Sequence, residues 1–423
     1  MEKQKSNVLA IIVMILLFGM ISFVTNLASP MGDVLKHQFG VANWMGTLGV
    51  FANFIAYAVM GIPAGNMLSK YGYKKTALIA ISVGFIGVGI QTISGFAESF
   101  GVYLLGAFVA GFSMCMLNIV VNPMLNKLGG GGNKGNQLIQ IGGSFNSLMG
   151  TATIMLTGIL LGDIAKAQIS QVFPLMFTAL TIFALAFVVI LFTKIQENPN
   201  VGATVEEKSQ YGPMSFRHFV LGAVAIFIYV GVEVGIPNLL NDWLVDPNAV
   251  NLTTAIAGTV TATYWLLMLV GRLLGAALGA KVSAKTMLST VSIVGLCLVL
   301  GAIFLNPANM IKMPVFDGAN GFAMAEVPIN AALLVLCGLC TSVMWGGIFN
   351  LAVEGLGKYT EKGAGIFMAM VCGGGILPFV QNAVVDWTGS YLVSYWVIVA
   401  GLVFLLYYAL IGSKNVNKDI KVD

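Results

Sequence analysis

Glu233 is the residue in this chain best suited to proton or cation chemistry. It stands inside the apolar run FIYVGVEVGIPNLLNDW (227–243), with Tyr229 about one helical turn before it and Pro237 one turn after. A carboxylate in such surroundings carries a proton, pairs with a cation or bonds polar neighbours for structure. A direct part in ligand binding or ion coupling is expected for Glu233, with Tyr229 and Asn238 of the same run as ligand contacts. Arg272, beside Gly271 in the run 253–279, is a cation in equally apolar surroundings and needs an acid. Glu354, just past the run 328–353, is the partner expected for it. The two would form a gate that makes and breaks with conformation, with a static ion pair as the equal alternative.

The amides form a second set. Gln137, Gln140, Ser144, Ser147 and Thr151 follow one another at intervals of 3, 4, 3 and 4 residues, which lines one face of a helix. Amides donate and accept, as paired sugar hydroxyls require. Gln140, Ser144 and the neighbouring Asn146 are therefore expected substrate contacts, although Ser and Thr in such a stripe also serve close helix packing. Asn26, Asn53, Tyr57, Asn118 and Asn122 are further polar groups in apolar runs, and Asn122 precedes Pro123. Near the other end of the chain stand Gln381 and Asn382, and Trp345 offers a ring face for stacking. Polar groups plus an aromatic platform suit a carbohydrate, with Asn26, Asn53, Asn118, Trp345, Gln381 and Asn382 completing the expected binding set.

Enzyme chemistry finds no support. Cys115, Cys297, Cys337, Cys340 and Cys372 all fall within apolar runs, and the CGLC pair has no second pair beside it. His37 and His218 are the only histidines, and no nucleophile–base pattern or metal cluster appears. GGGGNK (129–134) lacks the preceding strand and following G-K-[ST] of a phosphate loop. No cofactor is expected beyond H+ or Na+ as a coupling ion.

These residues need helices in a bilayer to position them. Only 21 Lys+Arg and 17 Asp+Glu occur in 423 residues, about 9%, where a soluble domain carries about 25%. With 58% hydrophobic residues and a mean hydropathy of +0.90, the chain cannot build a soluble surface and has too much apolar content for disorder. Apolar runs fall near 8–28, 44–68, 76–95, 101–122, 138–161 and 172–193, then near 219–244, 253–279, 286–305, 328–353, 364–385 and 391–413. They are numbered here as spans 1 to 12. The first exceeds the usual 7–15-residue signal core and is read as a span.

The positive-inside rule tests the count. With both termini cytoplasmic, seventeen basic residues lie inside, Lys36, Lys166 and Lys312 lie outside, and Arg272 completes the 21. The net charge of +4 is thus a topology signal, with no basic stripe for nucleic acid. GNMLSKYGYKK (65–75) and GAALGAKVSAK (275–285) stand at an offset of 210. IGGSFNSLMG (141–150) and VCGGGILPFV (371–380) repeat at 230, the extra length sitting in a loop at 306–327. The expected fold is an all-α membrane protein with twelve helices in two pseudo-symmetric halves, 1–194 and 219–423. A cytoplasmic linker, 195–218, joins them, and the site lies between the halves.

GNMLSKYGYKK resembles the loop 2–3 signature of the major facilitator superfamily, with Ser69 and Lys70 where an acid and an Arg are usual. Gly65 would permit close helix approach, Gly72 a tight turn, and Lys70 a gating contact. GGIFNLAVEGLG (346–357), GGGILPFVQNAVVDWTG (373–389), NIVVNPMLNKLG (118–129) and SFNSLMG (144–150) narrow the resemblance. They are similar to stretches of the fucose–proton symporter family, in the form seen among glucose/galactose permeases. The resemblance implies a secondary active symporter that works by alternating access on a hexose or small disaccharide. It also shows two departures: Ser29 stands where the family has a span 1 Asp, and Asn118 where it has a span 4 Glu. Neither titrates, so coupling to H+ or Na+ would run through Glu233. Oxygens near Ser29, Asn26 and Asn118 could hold Na+.

Two rivals share the fold: a proton-coupled drug or metabolite exporter, with a more apolar cavity, and a sensor that has lost transport. The expected setting is the cytoplasmic (inner) membrane as a multi-pass monomer, with sugar and lipid as its partners and no nucleic acid.

Overall fold

The computed structural model describes residues 2–39, 48–161, 169–195, 197, 211–317, 321–417, 419, 420 and 422. Helix dominates, because backbone polar groups inside a bilayer must be satisfied within their own segment. Span 1 lies in the helix Glu2–Phe39. Spans 2 and 3 share Leu48–Phe96, which turns at Gly72 (φ 79°, ψ −180°), a conformation that favours a residue without Cβ. Spans 4, 5 and 6 are Phe100–Leu128, Gly132–Leu161 and Ile169–Phe192. Spans 7, 8 and 9 are Arg217–Val245, Thr254–Leu278 and Ala284–Phe304. The side chains of Ser99, Thr253 and Ser283 cap spans 4, 8 and 9.

Among the described residues, ten segments are long and apolar enough to cross a bilayer. One of them, Phe51–Phe96, has 46 residues, about twice the roughly 20 that one crossing needs. With the 30-residue helix of span 5, the set is consistent with twelve crossings.

Spans 10 and 11 are discontinuous. Span 10 is Ile329–Thr341 followed by Met344–Val353, interrupted at Ser342 and Val343. Span 11 is Thr360–Ala369 and Gly373–Thr388, joined by a 3-10 turn over Met370–Cys372. Gly373 and Gly374 allow this segment to press on the backbone of Phe227 in span 7 and on the Phe54 ring in span 2.

The connection between spans 9 and 10, read from sequence as a loop, is a hairpin. β1 (Met310–Asp317) pairs antiparallel with β2 (Gly321–Pro328), with Met313 opposite Ala325. Met313, Val315, Ala325 and Val327 alternate onto one buried face, and the Phe316 amide donates to Thr263 Oγ1 of span 8 at 2.8 Å.

Residues 196 and 198–210 of the expected linker lie outside the described residues. Glu197 accepts from the amides of Tyr73 (2.7 Å) and Lys74 (2.8 Å), capping span 3 just after Gly72. This end of the bundle is called the linker side below. Here spans 2 and 11 cross backbone to backbone: a Cβ on Gly65 would stand 2.8 Å from the Gly365 Cα, and one on Gly365 would stand 2.6 Å from the Gly61 oxygen.

Candidate functional site

A cavity of about 670 Å³ lies between the halves, lined by spans 1, 2, 4 and 5 on one side and 7, 8, 10 and 11 on the other. Six residues expected from sequence to bind substrate line it: Asn26, Asn118, Gln140, Asn146, Glu233 and Trp345. Tyr57, Ser147 and Thr151 join them.

Each amide on the spans 1–6 side is held through its NH2 group. Asn26 donates to the Ser22 oxygen (2.8 Å) and Asn146 to the Phe18 oxygen (2.8 Å). Asn118 donates to the Tyr57 hydroxyl (2.7 Å) and the Met114 oxygen (3.1 Å). Gln140 donates to the Val343 oxygen, which the break in span 10 makes available, at 2.9 Å. These bonds fix the orientation of the amides, whose carbonyl oxygens, with the second N–H of Gln140 and of Asn146, can meet hydroxyl groups.

Aromatic faces come from the other half. The Trp345 indole donates to Asn122 Oδ1 at 3.0 Å, and its ring lies 6.3 Å from Tyr229 and 6.0 Å, edge to face, from Phe367. Trp265 of span 8 lines the cavity too and packs edge to face on Tyr264. Sequence reasoning missed Trp265. The signal was present, since Trp265, Met268 and Arg272 recur at i, i+3 and i+7 on one helix face.

Pro237 sets up Glu233. A proline has no N–H, so it leaves the carbonyl four residues earlier, that of Glu233, without its helical donor. The Tyr264 hydroxyl bonds that carbonyl at 3.1 Å and Thr341 Oγ1 at 2.9 Å. Spans 7, 8 and 10 are thereby tied together directly behind the carboxylate.

Arg272 pairs with Glu233 and not with Glu354. Its Nη2 lies 3.1 Å from Glu233 Oε1, both side chains being 12% exposed. Glu354 is exposed, and its backbone oxygen takes a hydrogen bond from His218 Nε2 at 2.8 Å. The expected pairing fails on depth: Arg272 sits nine residues, about 13 Å of helix, before Lys281 at the membrane end of span 8. Arg272 Nη1 meanwhile reaches span 5, at the Gly143 oxygen (3.2 Å) and Ser147 Oγ (2.6 Å).

Several expected contacts stand elsewhere. Asn53 is buried against Gly111 of span 4, and Ser144 turns its hydroxyl to the Gln140 oxygen at 2.8 Å. Tyr229 lies buried behind Trp345, and Asn238 is exposed away from the cavity. Gln381 is buried against Gly235, while the exposed Asn382 bonds the Pro378 oxygen at 3.1 Å. Close packing of span 11 on span 7 through Gly373 and Gly374 accompanies this arrangement, in which none of these amides lines the cavity. Lys70 is exposed over the Tyr71 ring, and Tyr73 reaches across the halves instead, its hydroxyl 3.4 Å from Glu361 Oε1. Ser29 lies on the span 1 helix, and its side chain is outside the described ones.

The span 5 stripe is largely a seam between the halves. Gln137 donates to the Ala276 oxygen at 3.1 Å, Gln140 reaches Val343 and Ser147 receives Arg272. Asn126 and Asn350 continue the closure toward the linker side at 2.7 Å.

This two-half helical architecture around a central cavity has known counterparts. Residues 9–378 match the Major Facilitator Superfamily. The chain belongs to that superfamily. It is 28% identical to the glucose/galactose transporter of Brucella abortus over 98% of its own length and 96% of that protein's. It is 21% identical to the L-fucose-proton symporter of Escherichia coli, covering 87% and 86%. A crystal structure of the superfamily transporter FucP in the outward conformation matches the fold with a TM-score of 0.82 at 18% identity, covering 97% and 100%. As a member of a transporter superfamily, the chain is a transporter and not an enzyme, and it spans the membrane many times.

Proposed function

We propose that this protein is a secondary active symporter that carries a neutral sugar, a hexose or small disaccharide, by alternating access. The observation that carries the reading is the charge balance of the cavity. Among the described lining residues, Glu233 and Arg272 are the only charges, and they are paired with each other. No free charge remains for an ionic cargo, while four amides and the indoles of Trp265 and Trp345 line a cavity of hexose to disaccharide size. Relatives known as glucose/galactose transporters and as an L-fucose-proton symporter point the same way.

Coupling to H+ or Na+ runs through Glu233, the carboxylate of the cavity. The halves are residues 1–194 and 219–423, and the protein acts as a monomer in the cytoplasmic membrane. With both termini cytoplasmic, the linker side faces the cytoplasm and the closed seam there belongs to an outward-facing state. The test is uptake into proteoliposomes from a panel of labelled sugars under separate proton and sodium gradients. Accumulation of a hexose or disaccharide under one gradient is expected. If none accumulates under either, the reading fails.

A further inference from the structure

Arg272 belongs to one half by covalent structure and to both by hydrogen bonding. Its Nη2 is held by Glu233 Oε1 at 3.1 Å and lies 4.0 Å from Met268 Sδ, both within spans 7–12. Its Nη1 is held by the Gly143 oxygen and Ser147 Oγ of span 5, across the cavity floor. A guanidinium is planar and rigid, so fixing one nitrogen fixes the other. The arm passes close to Gly143: a Cβ there would sit in ordinary contact with the Arg272 Cδ, at 3.7 Å.

The same face of span 5 continues toward the linker side through Gln140 on Val343 and Gln137 on Ala276. The Arg272–Ser147 contact is therefore the rung of this seam farthest from the linker side, and the only one of the three whose donor is also ion-paired.

We infer that Arg272 is the positioning residue that ties the charge of Glu233 to closure of the seam between the halves. An ionised Glu233 holds the fork where Nη1 meets span 5. When Glu233 is neutralised, by a proton or by a metal cation in place of Arg272, the fork is released and the first rung of the seam loosens. Opening toward the linker side then starts at the cavity. This inference rests on the coupling role proposed for Glu233, and it assigns to Ser147 a part in conformation and not in cargo binding.

The test is the distance between spin labels at Lys134→Cys and Lys285→Cys, exposed positions on opposite halves at the linker side, with the five native cysteines replaced. Glu233→Gln and Ser147→Ala are each expected to move the closed-to-open ratio about tenfold toward the longer distance, the scale of one charge-assisted hydrogen bond. Arg272→Lys keeps the charge and loses the fork, and should behave as Ser147→Ala does. Ser147→Thr keeps the hydroxyl and should restore the parental distribution, which a purely structural role for position 147 would not produce. An unchanged distribution in Ser147→Ala, with or without a shift in Glu233→Gln, overturns the inference, as does equal opening in Ser147→Thr. The distances are read without cargo, so failed sugar uptake would sink the transport reading and leave this measurement decisive.

Discussion

The Trp345 indole and the Asn122 amide meet across the two halves of the bundle, Nε1 to Oδ1 at 3.0 Å. Asn122 is itself anchored, its Nδ2 donating to the Asn118 oxygen at 2.9 Å. The bond fixes the plane of a cavity-lining ring from the half to which the ring does not belong. Trp345→Phe keeps a stacking face and frees its orientation, so sugar affinity should fall by roughly fivefold, about one hydrogen bond. Trp345→Ala removes the face as well and should cost on the order of a hundredfold. Titration calorimetry with the transported sugar separates the two, and equal losses would show that only the ring matters.

Glu233→Gln should abolish accumulation against a gradient while leaving sugar exchange between the two sides of a vesicle. Counterflow beside gradient-driven uptake measures both. A mutant that still concentrates sugar removes Glu233 from coupling.

The ion pair itself predicts a stability pattern. Arg272→Gln alone leaves a buried carboxylate without its cation, at a cost of roughly 3 kcal/mol. Adding Glu233→Gln removes the stranded charge and should return most of that loss, as thermal unfolding of the two variants in detergent would show.

Tyr264 replaces the donor that Pro237 removes. Tyr264→Phe should cost about 1–3 kcal/mol by leaving the Glu233 carbonyl unbonded. Pro237→Ala in that background supplies a backbone N–H to the same carbonyl and should recover stability. If the double variant is no more stable than Tyr264→Phe, the proline does not govern this carbonyl.

At the crossing of spans 2 and 11, Gly65→Ala would press a methyl group onto the Gly365 backbone. Wedging the linker side apart, it should lengthen the distance between labels at Lys75→Cys and Lys362→Cys, both exposed positions. Gly365→Ala should do the same through the Gly61 oxygen.

The legible parts were those set by solvent. Charge scarcity and apolar runs gave the helices, because a bilayer punishes charge wherever the helices finally pack. The same rule singled out Glu233, Gln140 and Asn118 as groups needing a wet or partnered place. Which way each group turns was not legible. Gln381 and Asn238 read as well as Asn26 did, yet the folded bundle buries Gln381 against Gly235 and leaves Asn238 exposed, neither of them lining the cavity. The partner of Arg272 is a matter of depth in the folded bundle, and the nearest acid by loop position was the wrong one. The hairpin was concealed by its setting: Met313, Val315, Ala325 and Val327 show the period of two that marks strands, within a segment that looked like a loop between helices.

The pairing of Glu233 with Arg272 also has an electrical consequence. With the two charges cancelling, the binding site of the empty carrier has no net charge to move when it reorients through the membrane field. The loaded carrier brings one cation, so voltage acts on that step, with about 2.3 kcal/mol available per 100 mV if the charge crosses the whole field. Membrane potential would then drive the sugar-bearing half of the cycle and leave the return to thermal motion, giving steady-state currents only when cargo is present.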